Sequence, residues 1–86
     1  MLVINRKLNE KLQIGDDIIV HVVNIHNENI FLNLTLPSGE LKCEVINENE
    51  KIQVTDEIVI RATVIKGKRQ VRVGISAPVS MKIKRL

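Results

Sequence analysis

The chain has 86 residues and a formal net charge of +3, from 13 basic and 10 acidic side chains. This length supports one small domain rather than two independent cores. Phe31 is its single aromatic residue, which argues against folds that bind RNA by stacking bases on aromatic platforms. Ile and Val are abundant and Ala occurs only twice, so strands are favoured over helices.

Apolar and polar residues alternate along most of the chain, the pattern of half-buried strands. The predicted strands lie near residues 1–6, 11–14, 17–25, 29–36, 40–46, 52–54, 57–66, 70–76 and 80–85. Turn residues separate them, as at Gly15-Asp16, Pro37-Ser38-Gly39 and Lys66-Gly67-Lys68. No segment shows an amphipathic helical pattern with caps. The sequence therefore predicts an all-β fold of small antiparallel sheets, with little or no helix.

Basic residues are concentrated in the second half of the chain. Residues 1–43 carry four basic and five acidic groups, whereas residues 44–86 carry nine and five. From Ile58 to the end there are eight Lys and Arg and no acidic residue. This stretch is either a solvated strand face or a patch that binds polyanions, and charge alone does not choose between them.

An internal repeat divides the chain. Residues 9–20 read NEKLQIGDDIIV and residues 49–60 read NEKIQVTDEIVI, with six of twelve positions identical. Gly15 against Thr55 is the one non-conservative difference. Residues 30–37 also match 71–78 at an offset of 41. We interpret this as a duplicated unit; two unrelated β-meanders of similar composition are the alternative.

The two terminal strands share a pattern of apolar, apolar, arginine on one face. On the first strand the row is Leu2, Ile4 and Arg6, and on the last it is Met81, Ile83 and Arg85. Such a row combines apolar contact with the forked hydrogen-bond donor of a guanidinium.

The middle strand, 40–46, has an apolar row without the arginine. Leu41, Cys43 and Val45 form this row, with Glu44 beside it, and Cys43 is expected to be a small core residue. The sequence does not fix the register of this strand, because a slip of one residue would exchange its two faces.

Two stretches resemble the carbon storage regulator family (the CsrA/RsmA type). They are MLVINRK with NEKLQIGD at the start, and IKG with VRVGISAP in the second half, so the likeness covers about 1–23 and 56–86. The resemblance implies a small RNA-binding regulator that recognises GGA-containing hairpin loops of messenger or small RNA and alters translation or transcript stability. The family fold is an intertwined β homodimer, in which each RNA site straddles the first strand of one subunit and the last strand of the other.

By the same resemblance, the RNA site includes Ile4 and Arg6 from the first strand and Ile83 and Arg85 from the last. Their contacts are expected to be apolar packing beneath the loop and hydrogen bonds to phosphates or guanine. The neighbouring lysines add attraction that depends on salt but not on sequence: Lys7, Lys82 and Lys84.

The chain departs from the family in three places. Asn5 replaces the usual Thr or Ser, Asn9 replaces Gly, and the sequence stops at Leu86 where the family continues into a helix. Any partner contact made by that helix is therefore in doubt.

Repeat and resemblance together suggest a single-chain pseudo-dimer. In this hypothesis 1–86 is one domain, and its units 1–46 and 41–86 share the strand 40–46. Arg6 and Arg85 then form one RNA site within one molecule. The second site is degenerate, because Val45 replaces an arginine and Glu44 repels phosphate. The alternative is a swapped homodimer with two sites, in which residues 24–55 are an insertion.

Catalysis is not expected. His21 and His26 are predicted to point to opposite faces of a strand, Asp16-Asp17 is predicted to be a turn, and no nucleophile–base motif or phosphate-binding glycine loop is present. With one cysteine, neither a metal site nor any other cofactor is predicted. No membrane partner is expected, and the location is expected to be the cytoplasm. The other candidate class is a protein-binding module or antagonist that has lost RNA binding, against which the arginine pair argues.

Overall fold

A computed structural model describes residues 1–48 and 50–86. Its strands are β1 (Leu2–Lys7), β2 (Lys11–Ile14), β3 (Ile18–His26), β4 (Asn29–Thr35), β5 (Leu41–Asn47), β6 (Lys51–Thr55), β7 (Ile58–Ile65), β8 (Gln70–Ser76) and β9 (Ile83–Arg85). Each corresponds to a predicted strand, although β9 begins three residues later than expected. Across the described residues there is no helix, and hence none that could span a membrane. The all-β prediction is confirmed.

The strands form two antiparallel sheets. Sheet A has the order β1-β8-β7-β6, and sheet B has the order β5-β4-β3-β2-β9. Sheet A is built on the meander β6-β7-β8, and sheet B is built on the meander β2-β3-β4-β5. The first and last strands of the chain cross over, because β1 joins the meander of the second half and β9 joins that of the first.

Side chains from both sheets share one apolar core. The fully buried members include Leu12, Ile14 and Val20 from sheet B, and Ile58 and Ile60 from sheet A. They alternate with exposed or half-buried residues along their strands, as the period of two predicts. One core serves the whole chain, so the two halves of the sequence are packed together rather than folded separately.

The two meanders have the same register. Leu12 pairs with Val20 across β2 and β3, and Ile52 pairs with Ile60 across β6 and β7, at the offset of 40 found in the sequence. The hydrogen bonds at the junctions before β2 and β6 also match. In the turn from Lys7 to Glu10, the Lys7 amide donates to the Glu10 carboxylate (2.7 Å) and the Glu10 amide donates to the Lys7 carbonyl (3.0 Å).

The corresponding bonds between Asn47 and Glu50 are 2.9 and 3.0 Å long. The segment β5–β6 is therefore the structural counterpart of β1–β2, and this geometry is the one that a duplicated unit would have.

The repeats diverge at Gly15 and Thr55. Gly15 has a φ of 65°, in the left-handed region, and its amide donates to the Lys82 carbonyl at 2.8 Å. A threonine is strained in that conformation. Thr55 continues β6 instead, and the pairing of β6 with β7 shifts by one residue between Gln53 and Thr55. The one non-conservative difference in the repeat thus coincides with a different turn and a β-bulge.

The structure corrects the expected face of the middle strand. In β5 the residues that pair with the buried row of β4 are Lys42, Glu44 and Ile46. The predicted apolar row lies on the opposite, outer face: Leu41 is 73% exposed, Val45 is 57% exposed, and Cys43 is exposed rather than a core residue. The apolar residues of an edge strand do not by themselves determine which of its faces is turned to the core. Here the face of β5 is determined by its pairing with β4, whose buried side chains point to the core.

Two further expectations about this strand change. Ile46, not Val45, occupies the place of Arg6, since it pairs with Ile30 as Arg6 pairs with Val71. Within the described residues β5 pairs only with β4, so it takes the role of a first strand and does not also serve as a last strand.

A second bulge corrects the histidine prediction. The register of β3 with β4 shifts between Val22 and Asn24. Beyond that point the strand is one residue out of phase, so His21 and His26 both lie on the outer face, opposite Asn33 and Asn29. The prediction of opposite faces was wrong because an inserted residue cannot be read from alternation.

Candidate nucleic-acid interface

The two ends of the chain meet where an edge of sheet A lies beside an edge of sheet B. We call this place the first seam; it consists of β1, β2 and β9. At one end of it, the carbonyl oxygen of Lys11 accepts hydrogen bonds from Arg6 Nη1 (3.3 Å) and from the Leu86 amide (3.1 Å). A single acceptor therefore joins β1 to the residue that follows Arg85.

At the other end of the first seam, β1 and β9 border a common pocket of about 240 Å³. Its walls include Leu2 from β1, Ile83 from β9 and Ala77-Pro78 from the segment between β8 and β9. The pocket and the Lys11 carbonyl bring corresponding ends of β1 and β9 together, so the two strands run in the same direction. In the described part of the chain they are not paired with each other, because β1 pairs with β8 and β9 pairs with β2. Each strand therefore has one edge whose backbone groups are not used by a sheet.

Arg85 lies on β9, an edge strand of sheet B, with its side chain exposed. It pairs with the fully buried Leu12, so its side chain leaves the backbone on the inner side of sheet B. Because β9 is the edge strand, the side chain is nevertheless exposed. Ile83, on the same row, is half-buried against Ile14. Lys84 points to the outer side and is exposed, as is Lys82.

Arg6 has a different environment from Arg85. It is 9% exposed, and its guanidinium donates from Nε to the Asn5 carbonyl (2.8 Å) as well as to Lys11. The Glu10 carboxylate lies 3.9 Å from Nη1. Ile4, beside it on the inner row, is a core residue at 3% exposure. In this structure, therefore, Arg6 holds β1 against β2, and Arg85 is the open member of the pair.

The strands of the first seam are strongly basic. Residues 1–14 and 81–86, which include the exposed Lys7, carry six basic groups and one acidic group. Asp16 and Asp17, in the turn predicted for them, line a groove together with Lys82 and Lys84. Polyanions are attracted to such a surface by a sum of charges rather than by one ion pair.

A second seam lies at the opposite edges, where β5 of sheet B continues through a short turn into β6 of sheet A. Ile46 stands in place of Arg6, and Glu44 stands in place of Ile4. Glu44 forms an ion pair of 3.5 Å with Lys42. Among the described residues no strand pairs with the outer edge of β6, although β9 pairs with the same edge of β2. Residues 41–55 carry two basic and three acidic groups.

The basic residues of the acid-free stretch after Ile58 lie in three places. Lys82, Lys84 and Arg85 belong to the first seam, whereas Arg61 and Arg72 lie on the outer face of sheet A. The remaining three residues are at the exposed tip of the β7–β8 hairpin: Lys66, Lys68 and Arg69.

The role of the Lys11 carbonyl as a shared acceptor could not be predicted from the sequence, because a backbone acceptor leaves no signal in the residue type.

The chain is similar to proteins of the CsrA family. The CsrA family model, described as a global regulator protein family, matches residues 1–39, from β1 to the turn after β4. A translational regulator CsrA of Desulforamulus reducens is 40% identical over 75 residues, covering 78% of this chain and 92% of the relative.

The proteins of the same name from Caldicellulosiruptor bescii and Oceanobacillus iheyensis are 37% and 30% identical. Their alignments cover 78% and 71% of this chain, and 94% and 90% of the relatives. No solved structure matches the chain significantly.

Proposed function

The chain belongs to the CsrA family of global regulators, and from that premise we propose that it binds GGA-containing hairpin loops of messenger or small RNA through the first seam. Binding there would alter translation or transcript stability in the cytoplasm. Members of the family are RNA-binding regulators rather than enzymes. The relatives' shared name, translational regulator CsrA, supports the regulatory role.

The observation that carries the proposal is the meeting of β1 and β9 at Lys11. The resemblance requires a first strand and a last strand side by side, and one chain supplies both. The unpaired edges of these strands offer backbone N–H and C=O groups to the exposed edges of single-stranded bases. A base of the loop would pack on Leu2 and Ile83 in the pocket between the strands.

The two arginines have different parts in this proposal. Arg85, exposed at the sheet edge, makes the direct contact with a phosphate or with the acceptors of guanine. Arg6 is mainly a positioning residue, since its guanidinium bonds β1 to the main chain of β2. Ile4 supports β1 from the core, and Lys7, Lys82 and Lys84 add electrostatic attraction.

One chain would bind one RNA. The second seam lacks a strand equivalent to β9 in the described residues, and it has Glu44 and Ile46 where the first seam has Ile4 and Arg6. A half-buried carboxylate repels phosphate. The proposed regulator is therefore a monomeric pseudo-dimer with a single site, rather than a swapped homodimer with two.

Binding of a labelled GGA hairpin tests the proposal. We expect Arg85→Ala to weaken binding by about 10- to 100-fold, corresponding to the roughly 1–3 kcal/mol of a good bidentate contact. Arg61→Ala, which removes an exposed arginine from the outer face of sheet A, is the matched control and should have little effect. Arg6→Ala should weaken binding and also destabilise the fold.

The assignment is wrong if the unmodified protein does not distinguish the GGA hairpin from one with an altered loop, or if Arg85→Ala and Arg61→Ala bind alike. The first of these results would favour the protein-binding module or antagonist.

A further inference from the structure

Beyond RNA binding, we propose that the outer edge of β6 binds an extended, basic segment of a partner protein by strand addition. The segment would lie on β6 as β9 lies on β2. Three features of the second seam lead to this inference: the direction of the backbone groups of β6, the incomplete burial of its apolar residues, and the acidic charge around it.

The backbone of β6 repeats the geometry that holds β9. Residues of an antiparallel strand direct their backbone groups alternately to one neighbour and to the other. In β2, Lys11 is directed toward β9, because its carbonyl accepts the Leu86 amide. Lys51 and Gln53 occupy the positions of Lys11 and Gln13 in the repeat, with the same register toward the next strand. Their backbone groups therefore face the outer edge of sheet A.

The apolar residues of β6 are less covered than their counterparts. Leu12 and Ile14, on the strand that pairs with β9, are completely buried, whereas Ile52 and Val54 are only half-buried. An added strand would cover Ile52 with its own apolar side chains. The bulge after Gln53 limits regular pairing to Lys51–Gln53, which is as long as the three-residue pairing of β9 with β2.

Charge selects the partner. Glu48 and Glu50 precede β6, Glu44 lies on β5 in its ion pair with Lys42, and Asp56 and Glu57 follow β6 directly. Carboxylates thus stand at both ends of the open edge, which disfavours RNA and favours a cationic strand. Apolar residues that alternate with Lys or Arg would meet Ile52 on one side and these carboxylates on the other. Residues 81–86 of this chain, MKIKRL, have that pattern, and they form the strand that occupies the equivalent edge.

The test uses a fluorescent peptide with the sequence of residues 79–86, VSMKIKRL, and a charge-reversed peptide, VSMEIEEL. Fluorescence anisotropy should show saturable binding of the basic peptide and at least tenfold weaker binding of the acidic one. Hydrogen exchange should slow at the amides of Lys51 and Gln53. Slowing at Lys11 and Gln13 instead would mean that the peptide displaces β9, and it would overturn the proposal, as would the absence of saturable binding.

Two variants locate the site. Gln53→Pro removes an outward N–H, and because proline is tolerated at an exposed edge, it should abolish peptide binding while leaving the GGA hairpin affinity unchanged. The double variant Glu44→Lys, Glu48→Lys should weaken peptide binding at least tenfold without touching the backbone of β6. Glu40→Lys, at the opposite end of β5, is the matched control and should have no effect.

Peptide binding that persists in both variants would contradict the proposal. So would a concentration-dependent dimer that Gln53→Pro dissolves, since a second copy of the chain would then occupy the edge. Loss of hairpin binding by Arg85→Ala bears on the first seam alone, so the two proposals can fail separately.

Discussion

The first and second seams begin from nearly the same structure. In each, an edge strand leads into the next strand, and matching hydrogen bonds close the junction, between Lys7 and Glu10 in one and between Asn47 and Glu50 in the other. The first seam has a third strand, β9, and the second has none in the described residues. Under the proposed function, repetition of the central strands is not sufficient for an RNA site, because β9 supplies the exposed Arg85 together with Lys84.

In the part of the chain that the structure describes, the two seams also differ in the residues that face the core. Ile4 is buried beside the first seam, whereas Glu44, in its place beside the second, forms a partly exposed ion pair with Lys42; the counterparts Arg6 and Ile46 are both buried. A surface ion pair of this kind contributes about 0–1 kcal/mol, much less than the burial of an apolar side chain. We therefore expect the second seam to be the weaker part of the fold.

Truncation of the equivalent core residues should reveal this difference most strongly. Leu12→Ala should lower the free energy of unfolding by about 2–5 kcal/mol, since Leu12 is completely buried beneath β9. Ile52→Ala should cost roughly half as much, because Ile52 is already partly in contact with water. Urea denaturation measures both. Equal losses would show that the edge of β6 is covered in solution.

Substitution of Gly15 tests whether the attachment of β9 affects hairpin binding in addition to the effect of backbone strain on stability. Gly15→Ala places a side chain at a φ of 65° and should cost about 1–2 kcal/mol of stability. Gly67→Ala, at a φ of 79° in the β7–β8 hairpin, should cost a similar amount. Only Gly15→Ala should also weaken hairpin binding, because the Gly15 amide holds the Lys82 carbonyl. If the two variants bind the hairpin equally well, that bond does not position β9.

Removal of single lysines should have a smaller effect. Lys82→Ala should reduce the slope of log affinity against log salt by about one, the value for one lost phosphate contact. Lys66→Ala, at the hairpin tip, should leave the slope unchanged. Titrations at several salt concentrations distinguish the two. A reduced slope for Lys66→Ala would extend the interface from the first seam across sheet A.

The smallest effect is expected from making the second seam resemble the first. The double variant Glu44→Ile, Ile46→Arg gives β5 the isoleucine and the arginine of the inner row of β1. RNA stoichiometry should remain one per chain, since no equivalent of β9 is supplied. A second bound RNA in this variant would show that the inner row of the edge strand, and not β9, decides where RNA binds.

Much of the fold could be predicted because alternation along the strands is a local signal. The nine strands, the turn at Asp16-Asp17 and the equivalence of the repeats all follow from residue pattern and spacing. The face of β5 and the orientation of His26 could not be predicted, because one depends on pairing with another strand and the other on a bulge. The burial of Arg6 could not be predicted either, because it depends on contacts with Lys11 and Glu10 that the row Leu2, Ile4, Arg6 does not reveal.

The mass of the protein–RNA complex tests the central claim most directly. Light scattering with a GGA hairpin in excess should give a protein mass of one chain, 9.8 kDa, and one RNA per complex, because one molecule contains both strands of the first seam. A complex with two chains and two RNAs would contradict this account and would support the swapped homodimer.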